Sequence, residues 1–159
     1  MNAVQAQAMR HLLERQDVAA LGTLHKGEPF VSMVPYALAP GGHGFVIHVS
    51  RLATHTKDME TDPRVSLLVM DERTSEVPPQ ALPRVTVQGD ARPCAPDAPV
   101  YAAAREAYLS RFPNSQEMFG FADFSLFVIA PRSLRVVGGF AQAWSVTAAD
   151  YARFMAAGG

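Results

Sequence analysis

One stretch concentrates groups able to hold an anion: Ile47-His48-Val49-Ser50-Arg51-Leu52-Ala53-Thr54-His55-Thr56-Lys57. A β-type run gives way there to a helical pattern between Ser50 and Glu60. The spacing predicts a strand that ends, and a helix that begins, at Ser50, with the Ser50 hydroxyl as the cap. Backbone N–H groups are unpaired at a helix start, and Thr54, His55, Thr56 and Lys57 add hydroxyls and positive charge within the next turn or two. With Arg51, that combination suits a phosphate. Lys57 is one of two lysines among fourteen basic residues. The same residues also compose an ordinary capped surface helix with solvated Arg51 and Lys57, and local spacing leaves both readings open.

The other reactive residue types carry less. His11, His25 and His43 fall on a helix flank or at turns. His48 and His55 are seven apart across the strand–helix junction, without a neighbouring carboxylate to complete a metal set, so no metal site is expected. Asp71-Glu72 and the Asp58/Glu60 pair read as loop and helix-face charges. Gly-x-Ser-x-Gly, P-loop and Rossmann glycine patterns are absent from the sequence, and no residue is named as catalytic. Cys94, the single cysteine, excludes an intrachain disulfide and a multi-cysteine zinc site. Pro35 lacks an N–H, so its strand is an edge or is interrupted there, which would let backbone near Tyr36 meet the edge of a flat ligand. Trp144, the only tryptophan, stands in a glycine- and alanine-rich loop and reads either as core filler or as a ligand or dimer contact.

The elements that must position these groups are short. Residues 4–15 carry Ala8, Met9, Leu12 and Leu13 at amphipathic-helix spacing. Val18–His25 reads as a strand, Lys26-Gly27-Glu28 as a tight turn and Phe30–Leu38 as the hairpin partner. Phe45–Ser50 and Arg64–Asp71 follow, the latter a nearly continuous apolar run expected to be central and covered on both sides. In Arg84–Ala91, Val85 and Val87 face one way and Arg84, Thr86 and Gln88 the other. A helix over 100–112, two strands over 125–131 and 133–138, and a last helix capped near Thr147 and ending at Gly158-Gly159 complete the pattern. Links between strands are mostly too short for parallel crossovers, so a mainly antiparallel sheet that closes into a barrel is expected, in one domain.

Length and composition agree. At 159 residues, with 48% apolar and 18% charged residues, the chain has enough material for one core and is not globally disordered. A formal charge of −1 without blocks of like charge argues against nucleic-acid binding driven by phosphates and against a polybasic membrane contact. The start of the sequence does not look like a signal peptide, and the longest stretch without Asp, Glu, Lys or Arg is broken by Pro35, Pro40, Gly41 and Gly42. A cytoplasmic protein without nucleic-acid or membrane partners is therefore expected.

Four ordered blocks carry a resemblance: Ala20-Leu-Gly-Thr-Leu, Pro29-Phe-Val-Ser-Met-Val-Pro-Tyr, His48-Val-Ser-Arg-Leu-Ala-Thr-His-Thr-Lys and Asp62-Pro-Arg-Val-Ser-Leu-Leu-Val. Together they resemble the pyridoxamine 5′-phosphate oxidase-like, FMN-binding split-barrel family. Leu82-Pro-Arg-Val-Thr-Val-Gln-Gly, Arg111-Phe-Pro, Phe124-Ser-Leu-Phe and Val137-Gly-Gly-Phe look like its haem-utilisation branch. The resemblance implies a mainly β protein with flanking helices, a six-stranded antiparallel split β-barrel in a single domain over 1–159 (helix 3–16, barrel 17–140, tail and helix 141–159). It implies a homodimer with ligand clefts at the subunit interface. It places a phosphate against Ser50, Arg51, Thr56 and Lys57, a flavin ring along Ser32, Val34, Pro35 and Tyr36, and cover from the partner subunit through Arg84, Gln88 and Trp144.

The function expected on this basis is an FMN-dependent oxidoreductase acting on a small-molecule substrate; the alternative is haem binding in the same cleft, and a third reading is a non-catalytic flavin-binding dimer. The C-terminal Arg/His motif of pyridoxamine phosphate oxidases proper is missing, which weighs against vitamin B6 oxidation. Haem-degrading relatives use a C-terminal histidine as iron ligand, whereas no histidine follows His55 here, so His48, His55 or another donor would have to substitute. Phe119, Phe121, Phe124, Phe127 and Phe140 are expected to expose apolar area that a two-fold interface would cover.

Overall fold

The computed structural model describes residues 1–157. Helix α1 (Ala3–Arg15) opens with a capping box in which the Asn2 side chain accepts from the Gln5 N–H and the Gln5 side chain accepts from the Asn2 N–H. It buries Ala6, Met9, Leu12 and Leu13; Ala8 faces solvent instead, because the buried stripe runs one turn further toward the N-terminus. Strands β1 (Val18–His25) and β2 (Glu28–Pro35) form a hairpin. Its two-residue loop, Lys26-Gly27, takes φ of 53° and 84°, the left-handed pair that a tight hairpin turn demands.

Among the described residues eight strands form the sheet, not six. After β2 come β3 (Ala37–Ala39), β4 (Gly44–Ser50), β5 (Arg64–Met70), β6 (Arg84–Cys94), β7 (Phe124–Gly139) and β8 (Gln142–Thr147), in the order β2-β1-β5-β6-β7-β4-β3 with β8 also on β7. All pairings are antiparallel. The sequence pattern has seven strand segments, and three differences lead from there to eight. The expected Phe30–Leu38 strand is divided at Tyr36 into β2 and β3. Residues 125–131 and 133–138 are one continuous strand, β7, since β6 pairs along both halves. Residues 142–147, which include Trp144, are a strand rather than a loop.

The edge of β7 that faces away from β6 carries β4 on its first half and β8 on its second, which splits the sheet. The two ends of the strand order, β2 and β3, are joined through the single residue Tyr36. A one-residue link between the two extremes requires the sheet to curl back on itself. Inside the curl lie Leu21, Phe45, Ile47, Leu67, Val85, Val87 and Ile129, all fully buried. Tyr36 stands edge-on to Phe45, and Phe45 stacks on Tyr151 of α4 (Ala148–Ala156). Thr147 caps α4 by accepting from the Asp150 N–H, as the sequence suggested; Gly158 and Gly159 lie outside the described residues.

A second, smaller core sits on the outer side of β3, β4 and β7, where α3 (Tyr101–Arg111) packs Ala104 and Tyr108 against Ala37, Val46 and Leu126. Strand β5 is central, yet its apolar run is covered on one face only. Val65, Leu67 and Val69 are buried, Leu68 is half-buried and Met70 exposed.

Candidate functional site: the β4–α2 junction and the β2 edge

Strand β4 ends at Ser50, and α2 (Thr54–Thr61) begins three residues later than expected. Ser50 is not its cap: the residue in that position is Ala53, which has no side-chain cap bond. The Ser50 hydroxyl instead donates to the Asp123 carboxylate at 2.9 Å and accepts from the Leu52 N–H. The Arg51 N–H donates to the Asp123 carbonyl. Thr56 is fully buried and donates its hydroxyl to the Ser50 carbonyl at 2.6 Å, tying helix to strand. Both hydroxyls expected to meet a phosphate are thus engaged internally, and a carboxylate stands beside one of them. Arg51 and Lys57 are exposed.

The first turn of α2 lies under the β1–β2 hairpin. In the hairpin register Leu21 opposes Ser32 and Thr23 opposes Phe30, so Ser32 and Thr23 share the face that α2 covers. Ser32 Oγ lies 3.1 Å from His55 Nδ1. Asp58, one turn on and buried, accepts from the Thr23 hydroxyl at 2.8 Å and holds His25 Nδ1 at 2.8 Å. Burial pushes the His55 pKa below the ordinary imidazole value, with the Asp58 charge pulling weakly the other way, so the ring is neutral at neutral pH. Among the described residues β2 has only β1 as a ladder partner, which agrees with the edge position read from Pro35. Its outer face exposes Val31, Met33 and Pro35.

The remaining residues expected around a ligand are dispersed. The side chains of Val34 and Tyr36 belong to the core; the Tyr36 hydroxyl donates to the Leu13 carbonyl at 2.8 Å. Arg84 is half-buried and binds the carbonyls of Gln80 and Leu82. Gln88 lies exposed on the outer sheet face, where it accepts from Ser133. Trp144 pairs in register with Val136 and packs its ring against Gly138, beside α1 residues Ala8 and Leu12. It therefore lies on the inner side of the sheet, on the opposite face from Arg84 and Gln88.

Sequence reading missed the Ser32–His55 pair. The signals were available: a two-residue hairpin fixes the register that puts Ser32 on the covered face, and His55 and Asp58 are spaced i, i+3 on one helix. It also missed the surroundings of His48. This imidazole is 8% exposed, stacks on Phe119 with ring centroids 3.9 Å apart, and leaves Nδ1 without a partner. Among the described residues no group of three or more His, Cys, Asp or Glu is placed to hold a metal ion. No helix there is long and apolar enough to cross a membrane.

A curled antiparallel sheet with its edge strand beside a helix start defines the fold class, and comparison gives the family. Residues 6–138 match the pyridoxamine 5′-phosphate oxidase family, and the chain belongs to it. It is similar to the chloroplastic non-canonical haem oxygenase HOZ of Arabidopsis thaliana, 36% identical over 76% of this chain and 35% of that protein. It is also similar to the haem oxygenase HutZ of Vibrio cholerae, 26% identical over 82% of this chain and 73% of the relative. Among solved structures, a haem-binding protein from Mycobacterium smegmatis superposes with a TM-score of 0.84 at 32% identity, over 96% of this chain and 62% of that one. The chain thus spans about a third of the Arabidopsis protein's length.

Proposed function

We propose that this chain binds haem in the cleft between the β2 edge and the start of α2, with His55 as the iron ligand and a second copy of the chain closing the cleft. The Ser32–His55 pair carries the reading. A ligating imidazole is oriented by a hydrogen bond at its other nitrogen, and Ser32 at 3.1 Å from Nδ1 fills that role and leaves Nε2 for iron. The lowered pKa of His55 suits ligation, which requires the neutral ring. Lys57 and the unpaired N–H groups of the first turn of α2 supply positive ground for propionates. Phe30, partly exposed beside His25, offers an apolar wall. The relatives named for haem support the same choice over FMN.

Bound haem supplies one-electron and O2 chemistry. The protein's part is to hold the ring, fix the tautomer of His55 and keep water from the buried side of the cleft. The exposed apolar face supports the dimer: Val18, Val31, Met33 and Met70 are 43%, 69%, 62% and 47% exposed on neighbouring strands. The phenylalanines expected to form that surface mostly pack elsewhere. Phe127 is buried and Phe119 and Phe124 are half-buried, which leaves Phe121 and Phe140 outside.

Haemin titration tests the proposal. A saturable Soret shift at one haem per chain is expected, lost in His55→Ala and weakened about 10- to 100-fold in Ser32→Ala. An unchanged titration in His55→Ala overturns the ligand assignment. Tight FMN binding that weakens on replacing Lys57, with riboflavin indifferent, would restore the flavin reading that the family name suggests.

A further inference from the structure

Behind β4, on the side away from the β2 edge, a cavity of about 480 Å³ opens between the end of β6, the start of α3 and Phe124 of β7. Its size falls in the range of small-molecule sites. Tyr101, Phe119 and Phe124 supply flat apolar walls, and Arg51 and Glu60 stand among its lining residues. His48 lines it too, more than nine-tenths buried, with Nδ1 sealed and unpartnered. Native structures keep an orphaned buried polar group only for a reason. With Nδ1 sealed, Nε2 is the ring nitrogen left to meet a ligand, as donor when it carries the proton. Nothing in the proposed haem cleft uses this pocket or this histidine.

We infer that this cavity is a second binding site, separate from the β2 edge, for a planar aromatic monocarboxylate. The aromatic ring lies against Phe124 and Tyr101, Arg51 takes the carboxylate in a charge-assisted contact, and the His48 N–H meets the polar edge. Glu60 sets the charge limit. A second anionic group on the ligand, as on a porphyrin with its two propionates or a nucleotide, would meet a cavity whose lining also carries that carboxylate. The pocket therefore selects a single negative charge on a small flat body.

The test uses the whole chain with selectively ¹⁵N-labelled histidine and two probes, 1-naphthoate and the uncharged 1-naphthalenemethanol. Naphthoate is expected to saturate at one per chain and to shift the His48 ring resonances while leaving those of His55 in place. The alcohol should bind about tenfold or more weakly, and Arg51→Gln should abolish the difference between the probes. His48→Phe, which keeps the stack on Phe119, should weaken naphthoate by a similar factor and leave the haemin titration unchanged. Absence of saturable binding overturns the proposal. So does binding that moves His55 instead of His48, which would put the probe in the haem cleft. The wild-type spectra decide even if a variant is damaged, and a failed haem titration at His55 leaves this test standing.

Discussion

The imidazole of His48 lies flat on Phe119, with centroids 3.9 Å apart and planes 7° apart, while Tyr108 meets it edge-on. Enclosed in this way, the ring resists protonation, and its pKa falls from 6.5 to about 4. The unfolded chain protonates His48 near the ordinary value, so the folded state is penalised below it. Stability from this residue is complete above about pH 6.5 and is lost as pH falls toward 4, by up to about 3 kcal/mol. His55 adds a loss of the same sign. Urea unfolding at pH 7, 5.5 and 4.5 should show a falling stability whose slope is shallower in His48→Phe. An identical slope in the variant would contradict the assignment.

Tyr36 provides a control on the site. Its buried hydroxyl bonds the Leu13 carbonyl in the last turn of α1, so Tyr36→Phe should cost about 1–2 kcal/mol by leaving that carbonyl unpaired. Haemin affinity should not change, because the ring faces Phe45 in the core. A Soret titration weakened together with stability would return Tyr36 to the cleft.

What the sequence made legible, and what it did not, divides by the range of the interaction. The Lys26-Gly27 hairpin, the alternation of Val85 and Val87 against Arg84, Thr86 and Gln88, and the Thr147 cap depend on neighbours in the chain, and each appears in the structure. Ser50 failed as a cap because its hydroxyl finds Asp123, 73 positions away, a partner no local spacing reveals. Strand β8 was missed because Gln142–Thr147 is short, and only the length of β7 offers it an edge to pair with. Pro35 did mark an edge strand. The next residue, Tyr36, is the crossing point between the two ends of the sheet, and its side chain is buried in the core. Arg64–Met70 reads as buried on both faces because it is apolar throughout, yet the face with Leu68 and Met70 is left partly open.

Two glycines with positive φ separate strain from collision. Gly44 has φ +119°, and a Cβ there would stand 2.0 Å from the Ile129 carbonyl oxygen and 2.8 Å from Pro131. Backbone of the β4–β7 ladder cannot retreat, so Gly44→Ala should cost about 3 kcal/mol or more, enough to unfold much of the protein. Gly27 has φ +84° with open space around it, and Gly27→Ala should cost only the left-handed penalty of about 1–2 kcal/mol. Thermal melts of the pair measure the difference; equal losses would mean that the ladder yields after all.

The last prediction concerns the apolar outer face of β2. Val31 and Met33 project from an edge strand, 69% and 62% exposed, with Gly22 and Ala20 opposite them on β1. Small residues behind large exposed ones leave a shallow relief that a second copy could fill, and edge strands left bare invite pairing. A charge at position 33 should therefore act on assembly and leave the fold alone. In Met33→Asp, sedimentation should show a monomer where the proposal expects a dimer of the unsubstituted chain, with unfolding of the isolated chain changed by no more than about 0.5 kcal/mol, the usual size for an exposed surface site. On the proposal that a second copy reaching round the β2 edge closes the cleft, haemin affinity should fall with the loss of the dimer. Retention of tight haemin binding by a monomeric Met33→Asp chain would show that one copy suffices, and a monomeric unsubstituted chain at micromolar concentration would remove the dimer from the proposal.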